Sequence, residues 1–236
     1  MIFFRWFGFD TVGCVVAIQL FLSTYRDTFD IMAIIGLSAA VAFVYMLDRY
    51  RDLRLGVDTN NRQLIYNDRL GWMIFSMVPL IGIAGFYWIN LDGMGQFILF
   101  GCAILVLVHL WLLGMGWYLY CKDVVVAMLF ATVMMVGLYD LYNLWLLIAL
   151  FTLFNLTVHR LIETRVRHSD YWFMGILFSV LIIVLMNSFG FHWVLFIWLG
   201  SIFAQFMLIR SVGRYWYELG ELYFAIPFLM AYFISI

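Results

Sequence analysis

Long apolar runs separated by short polar breaks recur nine times along this chain, and that alternation narrows its folds more than any other feature. A helix needs about 20 apolar residues to cross the hydrocarbon layer of a bilayer, and most of the runs approach that length. Composition agrees: 67% of the residues are hydrophobic and only 11% are charged. Membrane β-barrels show shorter alternating segments, so the long runs and the two prolines indicate helices. The expected fold is therefore all-α, a polytopic membrane protein of nine transmembrane helices.

The runs extend from Arg5 to Thr24, Asp30 to Asp48, Leu70 to Leu91, Gln96 to Trp117, Val124 to Tyr139, Leu144 to Arg160, Tyr171 to Met186, His192 to Ile209 and Tyr215 to Ile236. Pro79 lies inside the third, where a kink is expected. Tight turns are expected at Leu91-Asp92-Gly93-Met94-Gly95 and between Asp140 and Asn143. The first run follows a single arginine and lacks a small-residue cleavage pattern, which reads as a retained helix.

Positive charge tests the count. If chain ends and loops alternate across the membrane, the side of the N-terminus holds Arg5, Arg49, Arg51, Arg54, Arg62, Arg69, Lys122, Arg160, Arg165, Arg167, Arg210 and Arg214. Of the 13 lysines and arginines, only Arg26 falls opposite. Cytoplasmic loops carry the excess of basic residues, so the N-terminus is expected inside and the C-terminus outside. Removing or adding one span scrambles this segregation. The two richest polar loops follow the second and sixth runs, which suggests one transmembrane domain over 1–236. Within it, two four-helix halves of about 1–120 and 121–211 would be followed by a ninth helix.

The chemistry-bearing stretch is Tyr45-Met46-Leu47-Asp48-Arg49-Tyr50-Arg51-Asp52. Asp48 and Asp52 stand four apart, so a continuing helix places both carboxylates on one face. Such a pair, with arginines beside it, can hold Mg²⁺ and the phosphates bound to it. The alternative is a helix end whose acids and arginines neutralise one another at the membrane surface. His159 and Glu163 are also four apart, as an interface pair or a weak metal site. Glu218 follows Arg214 by one turn as an ion pair, whereas Glu221 lies deeper and needs a cationic partner such as Lys122. Tyr45 can pack in the core or present its ring to a carbocation. Lone His109 and His192 read as packing or interface residues. Trp88, Trp117, Trp145, Trp172, Trp193 and Trp216, at helix ends, read as an interfacial belt. The three cysteines, Cys14, Cys102 and Cys121, lack metal-ligand spacing and read as small core residues. No glycine-rich phosphate loop, catalytic triad motif or basic nucleic-acid surface is present.

The nine spans, the polar loops after the second and sixth, and the paired aspartates resemble the UbiA-type intramembrane prenyltransferase superfamily. That family's first motif is written NxxxDxxxD, and here Val44, Asp48 and Asp52 occupy its positions. Lys122 looks like the family's lysine at the start of the fifth helix. Arg214 and the stretch from Glu221 to Pro227 look like the residues that mark its last helix. The sequence departs from the pattern at Val44, in the place of the asparagine. It departs again after the sixth run, where a second acidic motif is expected between Asn155 and Arg167. There only Glu163 is acidic, beside Arg160, Arg165 and Arg167.

The resemblance implies transfer of a polyprenyl chain from its diphosphate to a lipid-soluble or aromatic acceptor. Asp48 and Asp52 would bind Mg²⁺. Arg62, Arg165 and Arg167 would grip the phosphates, and Lys122 the diphosphate or acceptor. Tyr45, His159, Glu163 and Glu221 complete the candidate residues. The alternative is a UbiA-like membrane subunit that binds lipid or scaffolds a larger complex. Expected partners are membrane lipid or polyprenyl diphosphate and other membrane subunits, with no nucleic acid. The expected location is the bacterial inner (plasma) membrane. A small transporter would need more polar interruptions at mid-membrane than these runs contain.

Overall fold

The structure, a computed structural model, describes residues 9–26, 29–55, 70–113, 121–163, 168–189, 193–208 and 216–235. Among them the chain is all-helical, with nine helices and no strand. They are α1 (Phe9–Arg26), α2 (Ile31–Leu55), α3 (Leu70–Ile89), α4 (Gly93–Leu112), α5 (Lys122–Met134), α6 (Tyr142–Glu163), α7 (His168–Phe189), α8 (Trp193–Leu208) and α9 (Trp216–Ser235). Three stretches, Ile31–Asp48, Gly93–Leu112 and Tyr142–His159, are long and apolar enough to cross a membrane, by length and composition.

Each helix overlaps one apolar run, and the boundaries shift where polar residues extend or stop a helix. α2 continues beyond Asp48 to Leu55, because the end of an apolar run does not by itself stop a helix. α5 stops at Met134, short of the expected Tyr139. The chain turns there with Gly137 at φ +87°, a left-handed conformation that favours glycine. α3 runs through Pro79 without interruption. Asp92, in the expected tight turn, caps α4 by accepting a hydrogen bond from the Gly95 amide (3.0 Å). Asp30 does the same for α2 through the Ala33 amide (2.9 Å).

Each helix packs against the next along the chain, and α9 closes the arrangement by packing on α1. Contact between α3 and α4 is thin, so their outer faces, including Phe75 and Phe97, are widely exposed. α6 is the innermost helix. It meets α5, α7, α8 and α9, and Leu147, Ile148, Phe151, Phe154 and Val158 on it are fully buried.

At the centre of α1, α6, α8 and α9 sits an aromatic cluster of Phe21, Phe151, Trp198, Phe224 and Phe228. Phe151 meets Trp198 edge-on with ring centroids 4.9 Å apart and stacks on Phe224 at 5.0 Å. Trp198 meets Phe228 edge-on at 4.8 Å, and Phe21 meets Phe228 at 5.6 Å. Each such pair adds roughly 1 kcal/mol beyond its burial, so this cluster fixes the angular registration of four helices.

Candidate functional site

Polar side chains gather at both ends of the bundle, and the two gatherings are built differently. One end is formed by the C-terminus of α1, the start of α2, and the α3–α4 and α5–α6 turns. Arg26, the last residue of α1, donates to the Val136 carbonyl (2.7 Å) and to Gln19 Oε1 (3.2 Å). Gln19 in turn donates through Nε2 to the Met134 carbonyl (2.9 Å). The arginine thus ties α1 to the turn after α5, satisfying carbonyls that the end of α5 leaves open. Asp30, Tyr87 and Tyr139 lie within electrostatic reach of Arg26.

Tyr139 donates to the Asp92 carboxylate (3.3 Å), linking the α5–α6 turn to the cap of α4. Burial, and then the neighbouring Asp92 charge, raise the Tyr139 hydroxyl above the ordinary phenol value, which keeps it a donor. Tyr87 packs so closely on Gly36 that a Cβ there would overlap its ring. Gln96 and Trp88 close the α3–α4 turn, with the indole donating to the Gln96 carbonyl (2.9 Å) and the Gln96 amide to Leu91 (3.1 Å). Sequence reasoning finds the Asp92 turn but misses the Arg26–Gln19 clasp, because the partner carbonyls carry no side-chain signature.

The opposite end holds the residues predicted to carry chemistry. Asp48 and Arg51 on α2 and Lys122 and Asp123 on α5 all act electrostatically on His109 of α4. α2 and α5 therefore bring two carboxylates and two cations within electrostatic reach of an imidazole on α4. Asp48, Arg51, His109 and Lys122 are half-buried, and Asp123 is buried. His109 and Asp123 emerge here from the fold. The sequence reading assigns His109 to packing or the interface, since a lone histidine in an apolar run carries no motif.

The remaining predicted residues are placed as follows. Asp52 lies one turn beyond Asp48 on the same uninterrupted helix, which fulfils the condition for a shared face; its side chain lies outside the described residues. Tyr45 on α2 and His159 on α6 are half-buried. Glu163 ends α6 and Glu221 belongs to α9, with side chains outside the described residues. Arg62, Arg165 and Arg167 fall outside the described residues altogether, and so does their expected approach to Asp48 and Asp52. Among the described residues no three acidic, histidine or cysteine side chains converge as a metal-binding group. The donor chemistry of an aspartate pair on one helix nevertheless fits Mg²⁺, which takes one or two carboxylates and completes its shell with water and phosphate oxygens.

No known protein family, curated protein or solved structure matches this chain.

Proposed function

We propose that this chain is a nine-span membrane protein with its N-terminus inside, which handles a polyprenyl diphosphate at the cytoplasmic end of a UbiA-like bundle. The observation that carries this reading is the gathering of Asp48, Arg51, Lys122 and Asp123 around His109. Charges set among apolar helices are costly unless they serve one another or a bound ion, so intramembrane clusters of this kind mark sites. A diphosphate needs cations, and Lys122 and Arg51 supply them beside the carboxylate of Asp48. The unbroken run of α2 through Asp48 and Asp52 gives the carboxylate pair that would hold Mg²⁺. When bound, that ion neutralises the leaving diphosphate.

In the reaction, the bond between prenyl C1 and the diphosphate oxygen breaks, and the electron pair leaves with the diphosphate. A nucleophilic atom of the acceptor forms the new bond to C1 and gives up a proton. Lys122 and Arg51 hold the departing group, and the surrounding apolar helices exclude water from the cationic carbon.

Asp48→Asn tests the proposal, because an amide lacks the charge that holds the metal–diphosphate pair. The expected outcome is Mg²⁺-dependent diphosphate release by purified protein, supplied with donors of several chain lengths and candidate acceptors, and its loss in folded Asp48→Asn. Release that survives Asp48→Asn, or no release from folded protein with any donor, overturns it. A second reading, a lipid-binding subunit of a larger complex, draws support from the segment after Asn155, where only Glu163 is acidic among arginines. Under that reading Asp48→Asn impairs assembly or folding, and no diphosphate is released.

A further inference from the structure

The aromatic cluster is followed by a polar layer on the side toward the Asp48 end. On α6, Asn155 lies one turn beyond Phe151 on the same stripe, and His159 one turn further. On α8, Gln205 lies two turns beyond Trp198, again on the same stripe. Phe151 and Trp198 touch, and α7 packs against both α6 and α8, the arrangement of three consecutive helices in which the first and third run parallel. Asn155 and Gln205 thus lie on the first and second turns beyond the aromatic contact, on the stripes by which α6 and α8 meet. Thr152 stands beside Asn155 on α6.

Both turns are nearly sealed. Gln205 is 0% exposed and Asn155 5%, yet among the described residues neither the Nε2 nor the Oε1 of Gln205, nor Asn155 Oδ1, nor Thr152 Oγ1 has a hydrogen-bond partner. Two neighbouring hydroxyls, those of Ser201 and Thr157, are already committed. Pro227 has no amide hydrogen to offer the Tyr223 carbonyl one turn back, and the Ser201 hydroxyl donates to that carbonyl instead. Thr157 is satisfied within its own helix by the Leu153 carbonyl (2.8 Å). One backbone defect here is repaired, while the Gln205 amide, the Asn155 side-chain oxygen and the Thr152 hydroxyl have no partner among the described residues.

An unmet buried polar group costs on the order of 1–3 kcal/mol, so a layer with several such atoms is built for something that completes it. The missing group must both donate and accept. A phosphate would serve Gln205 Nε2 but face Gln205 Oε1 and Asn155 Oδ1 as a repelling charge. A metal ion would serve the oxygens and repel the amide hydrogens. A hydroxyl accepts from Nε2 and donates to either carbonyl oxygen, and it is small enough for an enclosed level.

We infer that Asn155 and Gln205, with Thr152, form a binding site for the neutral hydroxyl group of a membrane-dissolved alcohol or phenol. The site lies against the aromatic cluster and is separate from the charged gathering around His109. It rests on the membrane-spanning part of the proposed function and gives the acceptor a chemical class, a hydroxyl rather than a carboxylate or phosphate.

The test is binding of tritiated farnesol to the purified protein in nanodiscs, with farnesyl methyl ether and farnesyl diphosphate as competitors. The ether can accept a hydrogen bond but cannot donate one. Saturable farnesol binding is expected, with the ether competing about tenfold more weakly. Gln205→Met, which keeps side-chain length without the amide, is expected to weaken farnesol by a similar factor. The comparison of alcohol with ether needs no variant, so it decides even if Gln205→Met fails to fold. Equal competition by ether and alcohol, unchanged affinity in folded Gln205→Met, or no saturable farnesol binding each overturns the inference; the last leaves ordered water alone as the occupant. Farnesol binding without Mg²⁺-dependent diphosphate release defeats the transfer reaction and leaves this site standing. Release from a protein that treats alcohol and ether alike does the reverse.

Discussion

Gln19 and Gln205 are both buried glutamines in apolar helices, 1% and 0% exposed, and the fold treats them oppositely. Gln19 uses both ends of its amide, accepting from Arg26 and donating to the Met134 carbonyl. Gln205 uses neither among the described residues. The first completes a backbone that would otherwise be short of partners where α5 stops. The second is itself short of partners. Among apolar helices a buried polar side chain stabilises the fold only through the bonds it makes there, so the same residue is a brace at one level and a proposed receptor at another.

The contrast is most exposed at Arg26. Arg26→Met removes a donor to Val136 and to Gln19 together and leaves both acceptors short of a partner. A loss of about 2–4 kcal/mol is expected, read as a lower midpoint in denaturant unfolding in detergent. An unchanged midpoint would mean that the α1–α5 clasp contributes nothing and that Gln19 is no better served than Gln205.

A matched pair of substitutions sharpens the comparison further. Gln19→Met is expected to destabilise by about 1–2 kcal/mol, since it strands the Met134 carbonyl. Gln205→Met, measured without added alcohol, is expected to be neutral or stabilising by a similar amount, because it removes an amide that no described residue satisfies. Equal losses in the two variants would break the comparison.

The smallest effect belongs to the cap of α4. Asp92→Ala removes the bond to the Gly95 amide and is expected to cost about 1 kcal/mol. Tyr139→Phe removes only the second donor to the same carboxylate and is expected to cost less. If Tyr139→Phe proves the more harmful, the turn is held by the link between the α5–α6 and α3–α4 connections rather than by the cap.

Much of this architecture is legible before any coordinates. Apolar run length locates nine helices, because a helix that satisfies its own backbone groups is how a chain this apolar stays folded away from water. The i, i+4 spacing of Asp48 and Asp52 is likewise local, and the continuation of α2 to Leu55 preserves it. The end of α5 is less legible. Met135, Val136 and Leu138 are as apolar as the helix before them, and only the left-handed Gly137 marks the turn.

Sequence by itself therefore determined the helical class, the order of the helices and the polar stretch beginning at Asp48, all of which follow from hydropathy and periodicity along one segment. Tertiary structure alone decided which polar groups meet. Nothing near His109 in the chain announces Asp48 or Lys122, and nothing near Gln19 announces the carbonyl of Met134. Nor does any motif separate Gln205 from Gln19, since their difference lies in partners supplied by other helices. A hydrogen bond depends on position in space, and helices distant in sequence reach their positions only when the bundle closes.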